Sequence, residues 1–235
     1  MTERQERLSI IVPVYNEART VRAVIDRLST IELPVPREIL IVDDGSTDGT
    51  ADVLLRAAAE GAPVTVIRAD RNGGKGSAIR RGLEHATGTI VAIQDADLEL
   101  DPQQLKALVA PIVARTTDVV YGSRFLDGRS TAPTITRAAN RVLTAVTNLL
   151  YGASLTDMET CYKIMRTDIV RSLGLTASRF DIEPQITARL LRRGFVIHEL
   201  PVRFDPRSRA EGKKIKWRDG VRALQVLFGE RWRRS

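Results

Sequence analysis

The residues whose spacing suggests chemistry are carboxylates. Asp95 and Asp97 follow directly on Thr89-Ile90-Val91-Ala92-Ile93, a β-branched and small apolar run that reads as a buried strand. Side chains two apart on an extended backbone point the same way, so both carboxylates would converge at the strand's open end. Carboxylates that close repel each other unless a cation lies between them. Hard oxygen ligands suit Mg²⁺ or Mn²⁺. An isolated D-x-D pair also fits a solvated turn, so the elements around it must decide.

Those elements alternate. Leu8 to Val14 reads as a strand ending near Pro13, followed by a helix that Asn16 caps with Glu17 in its first turn. Glu38 to Val42 is a second strand, running into the polar turn Asp43 to Thr50 and a helix over 51–60. Val64 to Ile67 is a third, followed by the loop Asn72-Gly73-Gly74-Lys75-Gly76 and a helix over 77–86. Strand–helix alternation predicts an α/β fold with a mostly parallel sheet flanked by helices and ligands at the C-terminal strand ends. Three acidic loops then gather along one edge, which favours a ligand site over a solvated turn. Further on, the pattern predicts a helix over 102–114, a strand over 118–121 leading to Gly122-Ser123-Arg124, and a long helix over 135–151. A polar cluster, Asp157 to Lys163, precedes strand-like Ile164-Met165, a helix over 183–193 and a last strand over 195–200. We expect one domain over 1–216 and a basic amphipathic helix within 217–235.

The chain has 235 residues and a net charge of +7. Residues 203–235 hold eleven Lys/Arg against four Asp/Glu, so all of the excess charge lies in the tail. Such a tail suits anionic lipid or a phosphorylated substrate, or is simply solvated. Cys161 is the single cysteine, which excludes an internal disulfide and favours a reducing compartment. No stretch approaches the roughly 18–20 apolar residues of a spanning helix. There is no G-x-x-x-x-G-K-[ST], no G-x-G-x-x-G after a strand and no G-x-S-x-G. An EF-hand loop opening at Asp44 would need Glu at position 55, where Leu55 stands.

Five segments in order resemble the motifs of family 2 glycosyltransferases with the GT-A fold: Val12 to Glu17, Val42 to Asp48, Asn72 to Gly76, Asp95-Ala96-Asp97 and Gly122-Ser123-Arg124. Within that family the chain is similar to the branch of dolichyl-phosphate mannose synthases and bacterial polyprenyl-phosphate glycosyltransferases, over about residues 8–216. The resemblance implies inverting, metal-dependent transfer of a hexose from a donor of the GDP-mannose or UDP-glucose type. It places base and ribose against Pro13, Tyr15, Glu17 and Asp44. Lys75, Asp95, Ala96, Asp97 and Arg124 complete the nucleotide-sugar site, and Asp95, Asp97 and Glu99 hold Mg²⁺ or Mn²⁺. Bland roles stay open: Glu17 as helix stabiliser, Asp43 as turn cap, Lys75 and Glu99 as solvated groups, Arg124 in a structural salt bridge, Cys161 in packing.

The acceptor implied by the resemblance is a polyprenyl phosphate, whose oxygen is already anionic and needs no general base. Arg207, Arg209 and Lys213 would orient it. A hydroxyl acceptor on a glycan, protein or small molecule would need a base, and Asp157 and Glu159 are the candidates. Relatives usually carry a Ser-Gly-Phe-like run where this chain has Asp157 to Lys163, which leaves both acceptors open. The expected setting is the cytoplasm or the inner face of the cell membrane, with membrane contact through 135–151 and 217–232 and no nucleic-acid partner. An inactive basic lipid-binding module is a further alternative, against which the intact Asp95 and Asp97 speak.

Overall fold

The computed structural model describes residues 5–127, 134–206 and 217–233. The acceptor-loop candidates Arg207, Arg209 and Lys213 lie outside the described residues. The first half runs β1 (Leu8–Val14), α1 (Val21–Thr30), β2 (Arg37–Asp43), α2 (Thr50–Ala59), β3 (Val64–Arg68), α3 (Lys75–His85) and β4 (Ile90–Ile93). The second half runs α4 (Leu105–Val113), β5 (Val119–Ser123), α5 (Thr134–Tyr151), β6 (Lys163–Arg166), α6 (Thr167–Ser172), α7 (Ile182–Arg192), β7 (His198–Pro201) and α8 (Trp217–Trp232).

One seven-stranded sheet has the order β3-β2-β1-β4-β6-β5-β7. β1 is flanked in parallel by β2 and β4, so the strand order reverses beside it. A crevice opens at such a switch point, outside the C-terminal strand ends. The register sets the depth of each loop. Val14 lies opposite Asp43, which brings the loops after β1 and β2 level. Gln94 donates its N–H to Ile11 O at 3.0 Å, which seats Asp95 beside the end of β1. The β4 side chains are all buried between helices, as continuous apolar strands of parallel sheets are. Val21, Val24, Ile25 and Leu28 of α1 supply one such covering face.

Several expectations change. β6 pairs antiparallel with both β4 and β5, so the sheet is mixed, though still mostly parallel. Asn16 does not cap a helix: α1 begins at Val21. Asn16 instead takes a left-handed φ of 52°, which Asn tolerates, and its Oδ1 accepts the Thr47 N–H at 2.8 Å. Lys75 and Gly76 open α3 rather than ending a loop. The short α6 carried no separate signal, because its six residues are under two helical turns. β4 stops at Ile93, so strand alternation does not reach Asp95 and Asp97; a turn aims them instead. Among the described residues, no helix is long and apolar enough to cross a membrane.

Candidate active site

A cavity of about 380 Å³ opens over the ends of β1, β2, β4 and β5. Pro13, Tyr15, Glu17, Asp44, Lys75, Asp95, Ala96, Asp97 and Arg124 all line it, as do Glu99 and Glu159. The donor-site residues expected from the sequence are therefore brought together. Further lining residues had no such signal, among them Arg179, Phe180, Glu183, Phe204 and Asp219.

Backbone donors build the nucleotide side. Asp44 accepts the N–H groups of Gly73 (3.0 Å) and Gly74 (2.6 Å), fixing the Gly-rich loop to the end of β2. Burial nonetheless pushes the Asp44 carboxyl above its ordinary value. Gly74 has φ +92°, and a Cβ there would lie 2.5 Å from Ser178 O, so only glycine fits. Asp43 caps its turn, accepting from Ser46 N at 3.0 Å, and does not line the cavity. Thr50 Oγ1 accepts from Glu17 N at 2.9 Å, and Asp48 from Ala18 N at 3.2 Å, which stitches the first two loops together.

The D-x-D turn is pinned from below. Buried Gln94 donates to Asp95 O (3.0 Å) and Leu100 O (3.3 Å), and its Oε1 accepts from the Tyr162 hydroxyl at 2.7 Å. Leu98, between Asp97 and Glu99, takes φ +62°, an uncommon conformation for a bulky side chain and a mark of a locally constrained turn. Asp97 Oδ1 accepts the Glu99 N–H at 3.2 Å.

Charge alternates across the floor. Lys75 Nζ lies 2.8 Å from Asp95 Oδ1 and 2.9 Å from Glu183 Oε1. Glu183 Oε2 in turn meets Lys163 Nζ at 2.6 Å. Lys163 is fully buried, donates to Met158 O at 3.1 Å and to Thr160 O, and sits 4.8 Å from the Tyr121 ring centre. Burial alone would raise the Asp95 pKa, but the Lys75 ammonium outweighs it and holds the carboxyl below its ordinary value. Burial likewise opposes the charge on Lys75, yet Asp95 and Glu183 drive its pKa well up. Lys75 is thus half-buried at the cavity and ion-paired rather than solvated.

On the opposite wall, Arg124 forms a fork with Asp157: Nε to Oδ2 at 2.7 Å, Nη2 to Oδ1 at 2.8 Å, with the Arg124 N–H adding a third contact at 3.0 Å. Phe125 and Phe204 bracket the guanidinium at 5.5 and 5.2 Å. Burial works against the charge, but Asp157 raises the Arg124 pKa further. Asp157 itself is fully buried behind Arg124 and does not line the cavity. Its expected place as a base gives way to a positioning one, because both oxygens are engaged. Glu159 does line the cavity, its Oε1 is enclosed without a hydrogen-bond partner, and burial pushes its pKa up to about 7. Cys161 is buried, and desolvation drives its thiol well above the ordinary value, which fits packing rather than nucleophilic attack. Among the described residues, no group of three or more His, Cys, Asp or Glu converges closely enough to hold an ion. Asp95, Asp97 and Glu99 all line the cavity.

Comparison with known proteins agrees with this geometry. The family model "Glycosyl transferase family 2" matches residues 9–174. The undecaprenyl-phosphate mannosyltransferase of Micrococcus luteus is 32% identical, over 96% of this chain and 93% of its own. The dodecaprenyl-phosphate galacturonate synthase of Rhizobium johnstonii is 30% identical, over 72% of this chain and 50% of its own. Among solved structures, glucosyl-3-phosphoglycerate synthase from Mycobacterium tuberculosis, in complex with Mn²⁺, UDP and glucosyl-3-phosphoglycerate, superposes with a TM-score of 0.71. That match is 22% identical and covers 97% of this chain and 80% of the other, a likeness of fold. The chain is a glycosyltransferase of family 2 with a GT-A-like domain, similar to that family's polyprenyl-phosphate sugar transferases.

Proposed function

We propose that this glycosyltransferase moves a hexose, with inversion, from a nucleotide sugar to a polyprenyl phosphate at the cytoplasmic membrane face. The carrying observation is the charge layout of the cavity. Asp95 and Asp97 face one end of a space whose walls also hold the cations Lys75 and Arg124. A diphosphate needs positive charge on several sides as its leaving oxygen develops charge. Arg124, held flat by Asp157 and the two phenyl rings, is preset to meet a phosphate oxygen.

Two carboxylates suit a divalent ion that takes its remaining ligands from the donor diphosphate. Asp95 already turns both oxygens toward a cation, the Lys75 ammonium, at 2.8 and 3.0 Å. Asp95 and Asp97 would hold Mg²⁺ or Mn²⁺, which when bound supplies Lewis-acid neutralisation of the leaving diphosphate. Pro13, Tyr15, Glu17 and the Asp44-anchored loop would grip base and ribose. The two relatives share a polyprenyl-phosphate name and differ in sugar, which supports the acceptor class and leaves the hexose open. Asp205 donates its N–H to Glu99 O at 2.9 Å, so the chain leading to Arg207, Arg209 and Lys213 starts beside the D-x-D turn.

Membrane contact would come from two stripes. Ala138, Val142, Ala145 and Leu149 of α5 are exposed at helical spacing, as are Val221, Gln225, Phe228 and Trp232 of α8. α5 contains no acidic residue, and exposed Arg141, Arg218, Arg222 and Arg231 flank the stripes. That composition suits an anionic lipid surface.

A hydroxyl acceptor is the alternative, and Glu159 favours it, with one unpartnered oxygen and a pKa near neutrality. The deciding experiment incubates the protein with labelled GDP- and UDP-sugars, polyprenyl phosphate and Mg²⁺ or Mn²⁺. Label in the organic phase supports the lipid acceptor. Label transferred only to added glycans, protein or small hydroxyl compounds overturns it.

A further inference from the structure

The last helix, α8, reaches the donor pocket through buried polar bonds. Glu230 of α8 is buried at 5% exposure, a costly place for a carboxylate unless it is paired; its Oε2 has only Arg192 Nη1 at 3.7 Å, while its Oε1 is densely bonded. Its Oε1 takes Arg189 Nε at 2.9 Å and Nη2 at 2.5 Å from α7, and Gln185 Nε2 at 3.0 Å. Gln185 then accepts the N–H groups of Thr176 and Ala177, both at 2.8 Å. The next residue, Ser178, accepts the Ser77 N–H at 3.0 Å, and its carbonyl is the atom against which Gly74 packs. Lys75 stands between Gly74 and Ser77. A second arm runs parallel: Arg222 of α8 meets Asp181 Oδ2 at 2.9 Å, and Asp181 Oδ1 accepts the Arg179 N–H at 2.8 Å. Arg179, Phe180 and Glu183 line the cavity, as does Asp219 of α8 itself.

We infer that α8 is part of the donor-binding machinery, with Glu230 and Arg222 as positioning residues for the Gly-rich loop and for the wall from Arg179 to Glu183. This goes beyond the proposed function and rests on its nucleotide-sugar donor. Neither residue touches the cavity; each acts through the segment 176–183. Packing alone would not need this arrangement, since Ala223 and Leu227 already seat α8 on Leu143, Met158 and Ala188. The bonds from Glu230 and Arg222 instead lead toward Lys75 and the cavity wall.

The test uses the full-length protein with Glu230→Gln and Arg222→Ala, and Arg166→Ala as a control. Arg166 pairs with Glu6 at 2.7 Å at the far end of the sheet. UDP and GDP binding is measured by calorimetry well below each variant's melting temperature, and amide exchange is followed at Ser77 and in β1. Residues linked to a site through such a network shift its affinity by about three- to tenfold. Glu230→Gln should weaken nucleotide binding by that amount and speed Ser77 exchange with β1 unchanged. Arg222→Ala should do so less, and Arg166→Ala should lower stability alone. Unchanged affinity and Ser77 exchange in the Glu230 and Arg222 variants would reduce α8 to a stabilising helix and overturn the inference. If Glu230→Gln does not fold, Arg222→Ala decides alone, because its side chain is half-exposed. A wild-type protein that binds neither nucleotide would instead sink the donor assignment on which the inference rests.

Discussion

Asp43, Asp44 and Asp48, beside the parallel strands, accept backbone N–H groups: Ser46, then Gly73 and Gly74, then Ala18 and Thr50, with Arg68 also 3.5 Å from Asp43. Asp157, Glu183 and Glu230, in the half beyond residue 100, have theirs met by Arg and Lys side chains from other elements. Backbone donors contribute there too: Glu199 accepts the Thr156 and Asp157 N–H groups at 2.7 and 3.0 Å, and Asp181 the Arg179 N–H at 2.8 Å. The difference follows from topology. In the parallel half each strand ends in a turn that leads to a helix, where unpaired N–H groups are at hand. In the mixed half, β6 runs against its neighbours, and long-range crossings bring charged side chains face to face in a dry interior. One half shapes a nucleotide cradle largely from backbone, with the Lys75–Asp95 pair added; the other presets mostly side-chain charge.

If that division holds, the largest effect belongs to Asp97, an acidic residue that lines the cavity. Asp97→Ala should lower sugar transfer by about a thousandfold, the scale of losing a charge-stabilising group at the reacting centre. Its circular dichroism and melting should stay near those of the wild type, because Asp97 lies in a partly exposed turn. A thousandfold loss accompanied by unfolding would instead class Asp97 with Asp43 and Asp44 as a loop builder.

The preset charges of the mixed half should be costly to break. Lys163→Met leaves Glu183 with Lys75 alone and strips two carbonyl contacts, and breaking a buried pair costs about 3 kcal/mol. Urea unfolding measures it. The double variant Lys163→Met with Glu183→Gln should regain part of that loss, since removing both charges leaves neither stranded. No recovery would mean that Lys163 acts through packing. Asp157→Asn is gentler, because its shape survives. It weakens a charged fork by about 1.5–3 kcal/mol, or roughly ten- to a hundredfold in kcat/KM if Arg124 meets the diphosphate. Steady-state kinetics with the nucleotide sugar varied is the check.

The same division marks what was legible in the sequence. The strands and loops up to Asp97 could be read because the residues that define them are neighbours in the chain. Apolar runs end in acidic turns, and Gly73-Gly74 marks a close backbone approach. Asn16 misled because capping and left-handed turns favour the same side chain, and only contact with Thr47 separates them. Beyond residue 100, the useful facts are non-local. Lys163 reads as one member of a polar cluster, yet it is fully buried because Glu183, twenty positions later, meets it. Glu183 reads as an ordinary acidic residue in the first turn of a helix. Asp157 and Glu159, two apart, look equivalent until Arg124 takes one and leaves the other at the cavity.

Glu159 carries the smallest expected effect and the finest discrimination. Burial raises its pKa to about 7, so it is protonated in much of the folded protein below that pH and charged above it. A raised carboxyl binds its proton more tightly in the folded state than in the unfolded chain. That contribution to stability is complete below the ordinary carboxylate range and fades as pH rises through 7. Glu159→Gln, which mimics the protonated form, should therefore remove this part of the decline in melting temperature between pH 6 and pH 8. Catalysis separates the two acceptors. A phosphate acceptor is already an anion, so Glu159→Gln should keep transfer to polyprenyl phosphate within about twofold of wild type, with no new pH dependence near 7. A hydroxyl acceptor needs Glu159 charged, so wild-type activity would climb through pH 7 and the variant would lose about a hundredfold or more. The second outcome would make Glu159 the working base and move the acceptor from lipid phosphate to hydroxyl.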